Sequence, residues 1–269
     1  MPVIPYRITL ARRAAERLGY AFRDLDDGSG YLVEVEHDGR RVYLGDGKIS
    51  AYPVNSATAD HLARDKAFTN VVLGQAGLPH LGGQLFFANS RFREFRDGSR
   101  EIADHIDRLS YPCFVKPNQG SKGRHAQRVR SASEMRAYVR EIEAEIDQIL
   151  VQDIVEAEEY RVFVDHGVAL FSYRKDKPGG DGPANLAAGA QPVDFTLEPP
   201  HALAQLALQA TAALDLVIAG IDFFVLADGR LKVVEVNCNP ALDSLQMLQL
   251  DEVGIGIWER MLVRLMGRK

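Results

Sequence analysis

Asp222, Glu235 and Asn237 are the residues whose types and spacing most directly suggest chemistry. Residues 220–226 and 230–236 read as two apolar strands joined at Asp228-Gly229, a strong hairpin signal. With a two-residue turn Ala227 faces Arg230 and Asp222 faces Glu235; a four-residue loop gives the same register. Directly opposed side chains lie roughly 4.5–5.5 Å apart at Cβ. Asn237, two residues beyond Glu235, points to the same face. Like charges facing each other among Ile221, Phe223, Val234 and Val236 are opposed by repulsion and by desolvation. A bound cation removes both penalties, and oxygen-only ligands suit Mg²⁺ or Mn²⁺ rather than Zn²⁺. Mg²⁺ keeps positions open for phosphate oxygens, which points to a nucleoside triphosphate. A plainer arrangement is also open, with one carboxyl protonated or paired with Lys232 or an arginine.

Lys116 ends a buried strand over residues 113–116 and runs into Pro117-Asn118-Gln119-Gly120-Ser121-Lys122-Gly123-Arg124. Gly120 and Gly123 allow backbone N–H groups to turn toward an anion, and Ser121 and Lys122 add donors. The spacing is not that of a P-loop, and a surface turn with an edge lysine fits the same residues. Lys66 taken alone reads as a solvated charge on a helix. A second hairpin, residues 160–164 with 168–173 around His166-Gly167, sets Glu159 opposite Arg174 and Arg161 opposite Ser172. Glu159, Arg161 and Arg174 then share a face, either as a cross-strand ion pair or as two arginines that stabilise charge on a transferring phosphoryl group.

These residues need elements to hold them. A helix is expected over 8–18, with Arg12, Arg13, Glu16 and Arg17 on its polar side and Gly19 ending it. Two short strands follow at 31–36 and 41–44. This small unit must lean on the rest. One helix runs from a cap at Ser56 or Thr58 to about residue 75, with Leu62, Phe68, Val72 and Leu73 on its apolar side. Residues 88–110 are charged and read as a solvated connection. Ser131-Ala132-Ser133-Glu134 is a capping box, opening a helix that aligns Met135, Tyr138, Val139, Ile142 and Ile146. A strand is expected at 149–155, a long loop at 176–195, and helices at 201–216 and 252–266.

The chain has 269 residues, enough for a core without disulfide or metal staples. At 46% apolar and 26% charged it is globular rather than disordered. A net charge of −5 argues against bulk nucleic-acid binding. No secretory signal is recognised at the N-terminus, and no run approaches the roughly 18 apolar residues that would span a membrane. Cys113 and Cys238 give no disulfide framework, so a reducing cytoplasm is the simple expectation.

The motifs taken together resemble the ATP-grasp carboxylate–amine ligases, in the branch of glutathione synthetase, the ribosomal-protein glutamate ligase and cyanophycin synthetase. The blocks that carry the resemblance are Asp65-Lys66 with Gly77-Leu78-Pro79; Phe114-Val115-Lys116 through Gly123; Val151-Gln152-Asp153-Ile154 with Glu159-Tyr160-Arg161-Val162; and Gly220-Ile221-Asp222-Phe223 with Glu235-Val236-Asn237-Cys238-Asn239-Pro240. They occur in the family's order across about residues 56–245. The resemblance implies an α+β ATP-grasp fold, with two α+β lobes clasping ATP behind a short N-terminal α/β unit. The expected division is 1–55, then 56–155 with the glycine loop, then 156–269 with the metal site.

Carried over by position, Lys66 and Lys116 would contact phosphates, and the loop with Gly120, Ser121 and Gly123 would close on them. Backbone at Gln152, Asp153 and Ile154 would meet adenine, and Glu159 the ribose. Asp222, Glu235 and Asn237 would hold Mg²⁺, with Mn²⁺ as the alternative. Arg161, Arg174 and Asn185 would sit near the reacting groups. The implied reaction is phosphorylation of an amino acid or peptide carboxylate by ATP, then attack of an amine on the acyl phosphate. Cys238 has no nucleophilic role in this family and reads as a buried small residue. An ATP-grasp kinase and a non-catalytic ATP-binding regulator are the rival readings. Only about 55 residues precede the first lysine block, where the family usually has a longer substrate domain. The carboxylate site is therefore expected to be reduced, open to a peptide or completed by a second subunit, as in a homodimer.

Overall fold

Helix α1 (Tyr6–Leu18) buries Ile8, Leu10, Ala11, Ala14 and Ala15 along one side and ends at Gly19, whose φ of 71° gives the left-handed cap. The computed structural model describes residues 4–47, 49–88, 100–120, 123–176, 186 and 189–267. After α1 come β1 (Ala21–Asp24), β2 (Val33–His37) and β3 (Arg40–Leu44), an antiparallel sheet in that order. The last two match the expected strands; β1 is four half-exposed residues without apolar alternation, and its pairing with β2 defines it.

The single helix expected from residue 56 is two. Ser56 caps α2 (Ala57–Arg64) by accepting the Ala59 N–H. Asp65 then leaves the helical region (φ −90°, ψ 102°) and caps α3 (Lys66–Gln75) by accepting the Phe68 N–H at 3.0 Å. The apolar stripe runs through this break, so periodicity alone does not reveal it. Phe68, expected on the buried side, is 45% exposed.

Strands β4 (Gln84–Phe87), β5 (Cys113–Pro117), β6 (Gln127–Val129) and β7 (Gln148–Asp153), with helix α4 (Ala132–Ile142), form the next layer. The sheet order is β4-β7-β5-β6. Ser131 accepts the Glu134 N–H and caps α4 as expected. The 88–110 stretch is more structured than a solvated connection: short 3₁₀ turns bury Ile102 and Ile106 in this lobe's core, while 89–99 lie outside the described residues.

The third sheet has order β10-β9-β8-β11-β12 and is antiparallel throughout. Its strands are β8 (Glu158–Asp165), β9 (Val168–Asp176), β10 (Gln191–Thr196), β11 (Ile218–Val225) and β12 (Leu231–Asn237). Strand β10 occupies the end of the expected 176–195 loop; Pro192 is tolerated because β10 is an edge strand. Helix α5 (His201–Ala213) lies between β10 and β11, and α6 (Asp243–Met247) and α7 (Asp251–Gly267) close the chain.

The sheet's two faces have different covers. Val162, Val164, Ile221 and Phe223 pack under α2, α3 and α5. Phe163, Phe171, Tyr173 and Ile218 pack under α7 and the N-terminal unit, around the fully buried Trp258. The N-terminal unit thus does lean on the sheet. Tyr6 and Arg13 bond Asp251, and Arg17 bonds Glu252, tying α1 to α7. These helices touch so closely at Gly254 that a Cβ there would lie 2.5 Å from Leu10 Cδ1. Gly254→Val is therefore expected to destabilise the fold by about 1–3 kcal/mol through overpacking, read from urea unfolding. Unchanged stability would mean that the helices separate without penalty.

Candidate active site

The apolar row on the α7 face of the third sheet ends at Phe163 and Tyr173, and a charged row takes over. Asp222 pairs with Arg161 across β11 and β8, and with Glu235 across β11 and β12. Gly220 pairs with Asn237, so Asp222, Glu235 and Asn237 share the face, as expected. The route to this register differs from the expected one. Leu226 faces Arg230 across a three-residue loop with Gly229 at φ 80°. The pairs Phe223–Val233 and Asp222–Glu235 then leave Val234 as an extra residue, and this bulge restores the alignment.

The β8–β9 hairpin has one such shift, and nothing cancels it. Asp165–Val168 and Val164–Ala169 pair as expected, but Phe163 then pairs with Phe171, leaving Leu170 extra. Arg161 consequently faces Tyr173, not Ser172, and Tyr160 faces Arg174. Arg174 turns to the other face, where its Nε donates to Asp194 at 2.8 Å. Lys175 takes the place expected for Arg174. Its Nζ lies 2.5 Å from Glu159 Oε1 and 2.9 Å from Asp222 Oδ1.

Arg161 grips Asp222 through two hydrogen bonds, Nε to Oδ1 at 2.7 Å and Nη2 to Oδ2 at 2.6 Å. Burial alone would raise the Asp222 carboxyl, but Arg161 and Lys175 outweigh it and hold it at about 2. Of the arrangements left open by the sequence, the arginine ion pair is the one present. Burial pushes Glu159 up, against the pull of Lys175.

The second and third sheets face each other across a cleft of about 1100 Å³. All the expected site residues line it except Ser121 and Asn185, which lie outside the described residues. Gly120 and Gly123 have φ of 133° and 66°, so the loop uses glycine where other residues would be strained. Gln152 turns its side chain to the Gly82 carbonyl. Lys66 is not solvated: its side chain is 10% exposed, its Nζ donates to Gly120 O at 3.1 Å and lies 3.5 Å from Glu235. The break at Asp65 makes this possible, because it places Lys66 at the start of α3. Lys116 is buried, and burial lowers its pKa. Among the described residues its Nζ has no ion-pair or hydrogen-bond partner.

Two contributors were not singled out in the sequence. Asn118, fully buried, joins the two lysine-bearing segments. Its Oδ1 accepts the Ala67 N–H and its Nδ2 donates to Gln148 Oε1, both at 2.9 Å. Its backbone O accepts the Lys66 N–H. Arg7, on α1, donates to Asp46 and to Asn239, so the N-terminal unit closes one end of the cleft. A polar residue after Pro117 is a signal that could have drawn attention to Asn118; nothing local marks Arg7.

Cys238 is buried with its sulfur 3.5 Å from Asp60 O, and burial pushes the thiol up to about 12. It is protonated at neutral pH and is no nucleophile. Cys238→Ala is expected to keep nucleotide use and to lose about 1 kcal/mol of stability; loss of turnover with an intact fold would contradict this.

Four cations, Lys66, Lys116, Arg161 and Lys175, meet three carboxylates, Glu159, Asp222 and Glu235, around this cleft. Over its whole lining the cleft is balanced in charge, and Lys116, without an ion-pair partner among the described residues, is the cation left for an anion. Among the described residues no trio of His, Cys, Asp or Glu forms a metal-binding group. Two opposed carboxylates and an amide still fit a hard divalent ion whose remaining ligands are water and phosphate.

A profile of the RimK-like ATP-grasp domain matches residues 63–263, and the chain belongs to that family. It is 24% identical over 213 residues to a D-alanine–D-alanine ligase of Geobacillus thermodenitrificans, covering 74% of this chain and 57% of that protein. It is 28% identical over 197 residues to a probable alpha-L-glutamate ligase of Haemophilus influenzae, covering 72% and 61%. The chain thus spans less than two thirds of the length of these relatives. The D-alanine–D-alanine ligase of Bacillus anthracis, solved in complex with ATP, superposes with a TM-score of 0.58 at 16% identity, over 80% of this chain and 69% of that one. The fold is the mixed α+β ATP-grasp fold expected from the sequence motifs. Among the described residues no helix is long and apolar enough to cross a membrane.

Proposed function

We propose that this protein is an ATP-dependent ligase that activates the carboxylate of an amino acid or peptide as an acyl phosphate and joins it to an amine. The observation that carries the reading is the opposition, across one cleft, of Lys66 and Lys116 to the Asp222–Glu235 pair. Family membership and ligase relatives support it.

Lys66 and Lys116 bind the phosphates, and the loop with Gly120, Ser121 and Gly123 covers them. Backbone at Gln152, Asp153 and Ile154 receives the adenine, and Glu159 a ribose hydroxyl. Asp222, Glu235 and Asn237 hold Mg²⁺ or Mn²⁺, which when bound supplies charge neutralisation on the phosphates. Arg161 stabilises charge on the transferring phosphoryl group, with Lys175 rather than Arg174 as its neighbour. By its position in the family's pattern, Asn185, outside the described residues, is assigned a role at the reacting end. Positioning and electrostatics carry such a reaction, so no nucleophilic side chain is required. The lobe of the second sheet and the lobe of the third, to which α2 and α3 add their apolar side, close on the nucleotide, and the unit at 1–55 borders the substrate end through Arg7 and Asp46. The buried free thiols of Cys113 and Cys238 fit a reducing cytoplasm.

The test is ADP release from Mg²⁺-ATP against pooled amino acids and short peptides, with mass spectrometry of products. The reading expects a mass equal to carboxylate plus amine minus water. A phosphoester would identify a kinase, and nucleotide binding without turnover a regulator.

A further inference from the structure

We propose that Arg161 and Lys175 form a latch on Asp222, so that the nucleotide-free protein refuses a divalent cation and admits it only together with a polyphosphate. This rests on the reading of Asp222 as a metal ligand and states when that ligand becomes available.

Both Asp222 oxygens are engaged. Arg161 takes Oδ1 and Oδ2 in a fork at 2.7 and 2.6 Å, and Lys175 approaches Oδ1 at 2.9 Å. The side chains of Asp222 and Lys175 are 4% and 5% exposed, so water screens little of this attraction. A dication arriving alone would have to displace a buried guanidinium and ammonium, or sit beside both. Glu235 is different: its side chain is 27% exposed, and its ion pair among the described residues is with Lys66 at 3.5 Å. The metal pair is thus half open and half latched.

A polyphosphate changes the balance because its oxygens offer Arg161 and Lys175 another anion. As they turn to it, Asp222 is released toward the cation that accompanies the phosphates. Glu159, already bonded to Lys175 at 2.5 Å, keeps the ammonium near when it leaves Asp222. The device depends on the extra residue Leu170, which puts Lys175 on this face.

The test is Mn²⁺ titration of the full chain with and without adenylyl imidodiphosphate, in which loss of the free-ion EPR signal is counted beyond that of a protein-free blank holding the same analogue. Wild type is expected to bind Mn²⁺ weakly alone. Lys175→Met is expected to tighten nucleotide-free Mn²⁺ binding about tenfold, within the usual range of coupling between sites. Lys175→Gln serves if the Met variant does not fold, and Lys175→Arg should keep the latch. Nucleotide-free affinity that stays unchanged or weakens in folded Met and Gln variants would overturn the latch. So would wild-type Mn²⁺ binding that is equally tight with and without the analogue. Asp222→Asn separates the two readings: with the analogue present it should lower the protein-bound Mn²⁺ counted beyond a protein-free blank, and if it does not, the metal-ligand reading itself falls.

Discussion

Lys116→Met is expected to make the protein more stable and far poorer at using ATP. Lys116 is buried at the end of β5, and burial disfavours its charge more than Glu235 restores it. Methionine has a similar length and no charge to desolvate. Each kcal/mol gained should raise Tm by about 2–4 °C in a domain of this size. The sign with pH follows from the lowered pKa. The penalty of the buried charge is complete below the folded-state pKa and disappears as pH rises past the unfolded value. The stability advantage of Lys116→Met should therefore be largest near neutrality and shrink toward high pH. The same charge is what a phosphate requires, so kcat/KM for ATP should fall about 10²-fold or more. Calorimetry and ADP-release kinetics on one preparation read both effects. Normal ATP affinity and rate would remove Lys116 from the phosphate site.

Asn118→Leu is expected to harm both folding and nucleotide binding. It leaves the half-buried Ala67 N–H and Gln148 Oε1 without the partner that the fully buried Asn118 supplies. A group so orphaned costs about 1–3 kcal/mol when fully buried. The effect should reach the site because α3 shares its core with the third sheet, whereas β5 belongs to the core of the second. Asn118 is the joint that fixes Lys66 against Lys116, and loosening it should raise KM for ATP about tenfold or more. Asn118→Asp keeps the acceptor for the Ala67 N–H at the start of α3, where negative charge is favoured. A turned Gln148 amide can donate to its second oxygen. The Asp variant should therefore recover most of the KM, which a general loss of stability would not explain. Equal KM values in all three proteins would show that Asn118 does not position the lysines.

The hairpins show what the sequence could and could not reveal. Asp222 opposite Glu235 was legible because Asp228-Gly229 and the apolar alternation mark the strands. The loop has three residues, however, and the Val234 bulge compensates for the shift. In β8–β9 the turn was also legible, but the Leu170 bulge put Lys175 against Asp222 and turned Arg174 toward Asp194. A bulge moves every later side chain to the other face, and no local residue preference announces it. The break at Asp65 was hidden for a related reason: an Asp inside an apolar stripe fits a helix surface as well as a new N-cap. Asn118 and Arg7 act through partners 30 to 232 residues away, a separation that periodicity does not reach.

The most direct measurement is a hydroxylamine trap. The full chain is incubated with Mg²⁺, ATP, hydroxylamine and pooled amino acids and short peptides, and hydroxamates and ADP are quantified together. Hydroxylamine stands in for the unidentified amine, so only the activated carboxylate must be present. The account predicts a hydroxamate of one carboxylate class with one ADP per hydroxamate. ADP release matched by a phosphoester and no hydroxamate would contradict it, as would ADP release that is independent of every carboxylate supplied.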